Sequence, residues 1–150
     1  MYRGKSNYNK EWAYGSTFSL DYLLPAKPPT VYKRTYIQKH GTIADKENKD
    51  RILNTLTETE VYEETVGQYV GIEDKNGVKI FEGDIVKAVI NGGNYDKFEF
   101  PLAVVVFENC SFALKDKKET TPICSFAPSV SFEVIGNIYD NPELMEDKQC

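Results

Sequence analysis

Residues Thr65–Val86, TVGQYVGIEDKNGVKIFEGDIV, carry the reading of the fold. A β-prone run, Gln68–Glu73, meets Asp74-Lys75-Asn76-Gly77, and a second β-prone run follows. Asn-Gly is a strong hairpin signal because both central residues of a type I′ turn need positive φ, which Asn tolerates and Gly supplies. The sequence therefore predicts a hairpin turn at Asp74-Lys75-Asn76-Gly77. Gly83-Asp84 breaks the return run, and a third strand is expected from Ile85 to Ile90. Nothing in this stretch supplies a nucleophile, a metal ligand set or a phosphate cradle.

Working outward, Leu102–Phe107 (LAVVVF) is apolar at every residue and reads as a central strand covered on both faces. Ser111–Leu114 is expected to pair with it, and Lys115–Pro128 reads as a loop. In Ser131–Tyr139 the residues Phe132, Val134 and Ile138 alternate with Glu133 and Asn137, and Gly136 marks a bulge or tight bend. Asn141-Pro142-Glu143 has the pattern of a helix start, with an N-cap side chain, proline in the first turn and an acid near the positive dipole end. Toward the N-terminus, Trp12–Gly15 and Thr17–Leu24 read as one or two strands closed by Pro25, Pro28 and Pro29, and Val31–Gln38 reads as another. Residues 42–60 are different. Asp45 to Lys49 and Glu47 to Arg51 are i,i+4 pairs of the favourable sense, so this charged insert is either a brief helix or a charged loop.

The 150 residues are expected to form a single domain with an N-terminal β arm over about residues 1–40. Aromatic residues make up 13% of the chain, with ten Tyr and eight Phe, which leans it toward β-structure. About eight strands and one or two short helices make the expected class mainly β, either a small SH3-like barrel or a rolled antiparallel sheet. There is no run of eighteen apolar residues, and the first residues lack the apolar core of a signal peptide, so a cytoplasmic protein with no membrane partner is expected. Cys110, Cys124 and Cys150 have neither zinc-finger nor redox spacing and read as free thiols. The sequon Asn109-Cys110-Ser111 matters only in a secreted protein.

The net charge of −5 hides an uneven distribution. Residues 1–40 hold seven Lys/Arg against two acids, for +5, and residues 41–150 sum to −10. That split points to an anionic partner for the arm, to a head-to-tail contact between subunits, or to solvated faces that differ in sign by chance.

Catalytic chemistry has little to work with. His40 is the single histidine and reads as a surface residue, which excludes a His dyad and a histidine-rich metal site. Glu58, Glu60, Glu63 and Glu64 lie in a charged stretch and read as a solvated face. Asn91-Gly92-Gly93-Asn94 lacks the Lys-Ser/Thr of a phosphate loop and reads as a turn. No enzyme activity, cofactor or metal is expected. Arg3, Lys5 and Lys10 interleave with Tyr2, Tyr8, Trp12 and Tyr14, a mixture that suits single-stranded nucleic acid because cations neutralise phosphates while rings stack on bases. The pI near 5.0 argues against a dedicated nucleic-acid module, and a strand burying its Trp and Tyr gives the same pattern.

Three ordered blocks carry a family resemblance. They are Arg3-Gly4-Lys5 with Glu11-Trp12-Ala13-Tyr14-Gly15, then Thr65–Tyr69 through Glu82–Val86, then Val134–Tyr139 through Leu144. Together, from Arg3 to about Glu146, the chain resembles the YopX family of phage and prophage proteins. The resemblance implies a mainly β protein with no assigned reaction and no catalytic residues to carry over. The expected function is that of a phage or prophage accessory protein: a non-enzymatic, self-associating interaction module that contacts itself and an unidentified phage or host protein. Single-stranded nucleic-acid binding through the arm is the alternative. The residues expected to make contacts are Arg3, Lys5, Trp12, Tyr14, Asn137 and Tyr139. Asn137, a polar amide in an otherwise apolar strand, has either a structural hydrogen bond or a binding role.

Overall fold

The computed structural model describes residues 1–24, 30–44, 52–90, 98–126 and 128–146. The prolines at 25, 28 and 29, the ion pairs expected within 45–51, the turn at 91–94 and Cys150 lie outside the described residues, as does the side chain of His40. The protein is mainly β, and its strands pair antiparallel in two sheets. The chain divides into two compact units, Met1–Gln68 and Tyr69–Cys150.

The first unit holds β1 (Tyr2–Lys5), β2 (Trp12–Leu24), β3 (Thr30–Ala44), β4 (Ile52–Val61) and the start of β5 (Gly67–Glu73), ordered β4-β3-β2-β1-β5. β2 is one continuous strand. β4 corrects the expectation of a helix or loop, because Ile52–Val61 pairs with β3 from Ala44↔Ile52 to Thr35↔Val61. Thr55, Thr57 and Thr59 recur at every second position, the strand period, and β-branched residues favour a paired ladder. Ile37 and Val61 are buried here with Arg3, Ser6, Thr35 and Thr65. Gly4 permits the packing, since a Cβ there would lie 2.9 Å from Val61 Cγ2.

In the second unit the remainder of β5 pairs with β6 (Lys79–Phe81). A sheet follows with β7 (Asp84–Ile90), β9 (Ala103–Glu108), β10 (Ser111–Lys115), β11 (Thr120–Pro122) and β12 (Val130–Asn137), ordered β11-β10-β9-β7-β12, and β8 (Phe98–Glu99) pairs with β7. Ile80, Val86, Ala88, Ala103, Val105 and Leu114 form its core. β9 is central, as its sequence implies, but only Ala103 and Val105 are buried on it; Phe107 is 53% exposed. The stretch read as a loop, 115–128, contains β11 and a 3₁₀ turn at Ile123–Ser125. The register of β12 against β7 shifts between Val134 and Gly136, which is the expected bulge.

Neither sheet closes into the barrel that was one expectation. In the second unit β11 and β12 stand at opposite ends of the order. In the first, β1 returns to β4 through a single bridge, Ser6↔Val61.

The turns differ from the sequence reading in an informative way. At 74–77 only Gly77 has positive φ, at 78°. Gly77 N–H donates to Asp74 O at 3.0 Å and Asp74 N–H to Val78 O at 2.8 Å, which makes a three-residue loop with glycine at its left-handed position. The two-residue turn with both φ positive is at Asn109-Cys110, with φ of 51° and 62°, between the paired residues Glu108 and Ser111.

Candidate functional site

The pairing of β1 with β2 places Arg3 opposite Tyr14 and Lys5 opposite Trp12, so four of the six expected contact residues do come together. One of the four is turned inward. Arg3 is 7% exposed, and its guanidinium carbon lies 4.6 Å from the centroid of the Trp12 ring. Lys5 N–H donates to Thr65 Oγ1 at 2.8 Å. Lys10 takes a left-handed φ of 63°, and its ammonium sits 4.3 Å over the Tyr62 ring while donating to the Tyr62 hydroxyl. Each such cation–ring pair is worth about 0.5–2 kcal/mol. The basic–aromatic mixture is thus used in part for internal packing, while Tyr8, 94% exposed, and Tyr14, 45% exposed, face solvent.

Asn137 and Tyr139 belong to the second unit, where the amide organises the end of β12. Asn137 Oδ1 accepts from Tyr139 N–H at 3.0 Å and Asp140 N–H at 2.9 Å, while Nδ2 donates to Asp140 Oδ2 at 2.9 Å. This is an Asx-type turn, in which a side-chain carbonyl takes the place of a backbone acceptor. A 3₁₀ turn, Pro142–Met145, follows, but Asn141 does not cap it with its side chain. Asn141 Oδ1 instead accepts from Asn137 N–H at 3.4 Å, and it lies 2.5 Å from where a Cβ on Gly136 would be. Of the two roles considered for Asn137, the structural bond is the one this geometry supplies. Asn137→Ala is expected to cost about 1–3 kcal/mol through the donors it orphans, read as a lower urea midpoint. An unchanged midpoint would mean that water replaces the amide at no cost.

A concavity in the first unit gathers residues that the sequence reading passed over. It encloses about 230 Å³. The loop at 6–11 forms one side. Ser6 N–H donates to Glu11 O at 2.8 Å, Lys10 N–H to Ser6 O at 3.1 Å, and Asn9 Nδ2 to Glu11 Oε2 at 2.6 Å. The floor and far wall come from Ala13, Ile37, Lys39, Thr57 and Thr59. Ile37 pairs with Thr59 and Lys39 with Thr57, so these four share one face of the sheet. Trp12 and Tyr14 border it only as the β2 neighbours of Ala13, since strand alternation puts their rings on the opposite face with Arg3 and Lys5. The signal that could have found this cleft is the every-second-residue threonine pattern of β4, legible once 52–61 is read as a strand.

The second unit has an apolar groove of about 440 Å³ in which Ile72, Phe112, Phe126 and Phe132 take part. Phe126 meets Phe132 edge-on at 5.5 Å and Phe100 edge-on at 5.6 Å. Among the described residues no three His, Cys, Asp or Glu side chains gather to hold a metal ion. Cys110 and Cys124 are exposed free thiols. Among the described residues no helix is long and apolar enough to cross a membrane.

Comparison with known proteins bears on the family and the fold. No match is found among curated proteins. A solved structure, that of protein EF1440 from Enterococcus faecalis, is similar with a TM-score of 0.51 at 20% identity, covering 97% of this chain and 96% of that one. At that identity the likeness speaks for the fold alone. The model of the YopX protein family matches residues 1–146, and the same blocks around Trp12, Gly83 and Gly136 that build β2, the β6–β7 turn and the β12 bulge lie inside that match. The chain belongs to the YopX protein family.

Proposed function

We propose that this protein is a phage- or prophage-encoded accessory protein of the bacterial cytoplasm that works without catalysis, through protein–protein contact, and that it self-associates. The observation that supports self-association is the outer edge of β4. This ten-residue strand pairs with β3 on one side. On the other, among the described residues, its bonded neighbours are confined to its end, where Ser6 bridges Val61 and Asn7 N–H donates to Glu60 O at 3.2 Å. A long strand with an open backbone edge is a template for a further strand, and a second copy related by a two-fold axis presents the same edge antiparallel.

Charge complementarity contributes less than the sequence implied. Divided at its compact units, the chain carries ten Lys/Arg and nine Asp/Glu in residues 1–68, a net +1, and eight against fourteen in 69–150, a net −6. Arg34 pairs with Glu60 at 3.2 Å, and Lys33 pairs with Glu63, within the first unit. The expected association is therefore insensitive to salt. Size exclusion coupled to light scattering at low and high salt tests this reading: a dimer or larger assembly at both is expected. A monomer at about 50 µM, well above the Kd of a micromolar contact, would sink it. Co-elution with nucleic acid at low salt would favour the nucleic-acid alternative instead.

A further inference from the structure

We propose that the cleft in the first unit binds a free α-amino acid, a small molecule that carries an ammonium and a carboxylate side by side. Charge is the observation that points there. Glu11 and Lys39 line the same small space with opposite signs. They form no ion pair with each other, and among the described residues the Lys39 ammonium has no ion-pair partner. An inorganic anion placed there would meet the Glu11 carboxylate, and a simple cation would meet the Lys39 ammonium, so either gains one attraction and suffers one repulsion. A molecule with one charge of each sign satisfies both residues at once.

Size and lining narrow the class. About 230 Å³ equals roughly seven or eight waters at ~30 Å³ each, which suits an amino acid with about as many non-hydrogen atoms, such as valine. A nucleotide or a peptide segment belongs to the larger range of about 300–1,000 Å³. The register sets Ile37 opposite Thr59 and Lys39 opposite Thr57, so these side chains rise from one face of the sheet. Ile37, buried, and Ala13 give a short apolar side chain a floor. The hydroxyls of Thr57 and Thr59, which both donate and accept, stand beside Lys39 on the wall that would take the carboxylate.

The opposite wall is held in shape before any ligand arrives. Asn9 Nδ2 donates to Glu11 Oε2 at 2.6 Å, and Glu11 N–H donates to Asn9 Oδ1 at 3.1 Å. Ser6 Oγ accepts from Tyr8 N–H at 3.2 Å and from Asn9 N–H at 3.4 Å, which closes the 6–11 loop on itself. Asn9 thus fixes the Glu11 carboxylate through one oxygen and leaves Oε1 for an ammonium. Preorganisation lowers the entropic cost of binding, which matters most for a ligand with few atoms.

The experiment titrates the full, ¹⁵N-labelled chain with L-valine and L-alanine. Parallel titrations use N-acetyl-L-valine, which lacks the ammonium, L-valine methyl ester, which lacks the carboxylate charge, and inorganic phosphate. At least one of the two amino acids is expected to give saturable amide shifts at residues 9–13, 37–39 and 57–59, with a Kd of about 1–10 mM. The two blocked analogues are expected to bind at least tenfold more weakly. Glu11→Gln, which keeps the shape and an acceptor for Asn9, and Lys39→Met alter exposed side chains, so both are expected to fold. Each, checked for native circular dichroism, is expected to weaken amino-acid binding at least tenfold. No saturable shift with either amino acid up to about 100 mM would overturn the proposal. So would blocked analogues that bind as well as the free amino acid, an affinity unchanged in either variant, or stronger binding of phosphate.

Discussion

Gly15→Ala is expected to disrupt the pairing of β2 with β3 and to cost about 3 kcal/mol or more, the upper end of what overpacking produces. A Cβ at Gly15 would lie 2.0 Å from the carbonyl oxygen of Gln38 and 2.8 Å from its carbonyl carbon. Those are backbone atoms of β3, so no rotamer change relieves the clash. The strand itself must move, and the ladder running from Ser16↔Gln38 to Leu24↔Thr30 moves with it. Little in the first unit can absorb the loss, because among its described residues only Ile37 and Val61 are buried hydrophobics. Gly71 provides the control. Its φ is +99° and a Cβ there would meet nothing within 4 Å, so Gly71→Ala carries only a conformational cost of about 1–2 kcal/mol. Urea unfolding of both variants, with hydrogen exchange on the amides of β2 and β3, separates the two causes. Equal losses in the two variants would mean that close approach at Gln38 is not what demands glycine at position 15.

The parts of this fold that can be read from sequence are those decided by a single residue's backbone. Gly83 (φ 84°) ends β6 and turns the chain into β7, and Gly136 marks a real bulge. The parts that resist reading are decided by partners distant in sequence. β4 looks helical or unstructured until β3 is beside it. The turn at 74–77 follows Asp74, whose carboxylate collects donors, rather than the Asn-Gly preference for a type I′ turn. The division into two units falls inside β5, where strand propensity is continuous and no linker composition marks it. The candidate sites divide the same way. Arg3, Lys5, Trp12 and Tyr14 were legible as a group because β1 and β2 are near neighbours in the chain. That Arg3 is buried against Trp12 was not, since a basic–aromatic mixture reads alike for nucleic acid and for internal cation–π packing. The cleft needed Asn9 and Glu11 to meet Thr57 and Thr59, nearly fifty residues away, which only the strand register provides.

Asp74 should prove a sensitive polar residue of the second unit, and its contribution should depend on pH. The residue is 7% exposed. Its Oδ1 accepts from Asn76 N–H at 2.7 Å and Val78 N–H at 2.9 Å, and its Oδ2 accepts from Val134 N–H at 3.1 Å. Lys75 N–H adds a bond to Phe132 O at 2.9 Å, so the hairpin tip is tied to β12 as well as to itself. Burial pushes the Asp74 carboxyl pKa upward, but the backbone donors of Val78, Val134 and Asn76 outweigh it and hold the group below its ordinary value. A carboxylate whose folded pKa lies below its unfolded value stabilises fully above the unfolded pKa, near 3.9, and loses that stabilisation as pH falls through the folded value. Asp74→Ala orphans three donors and is expected to cost about 3–5 kcal/mol at pH 7, with each bond to a charged acceptor worth about 1.5–3 kcal/mol before the structure relaxes. Asp74→Asn keeps one acceptor oxygen for Asn76 and Val78 but turns an amide toward Val134 N–H, for a loss of about 2 kcal/mol. Lys75→Ala, which removes the half-exposed ion pair with Glu133 at 2.7 Å, should cost at most about 1 kcal/mol. The stability gap between the wild-type chain and Asp74→Asn is expected to narrow from pH 7 to pH 3, because Asn does not titrate while the other carboxylates titrate alike in both proteins. Urea unfolding of the pair at the two pH values measures that gap directly. A gap that stays constant would show that shape, and not the charge on the carboxylate, joins the hairpin to β12.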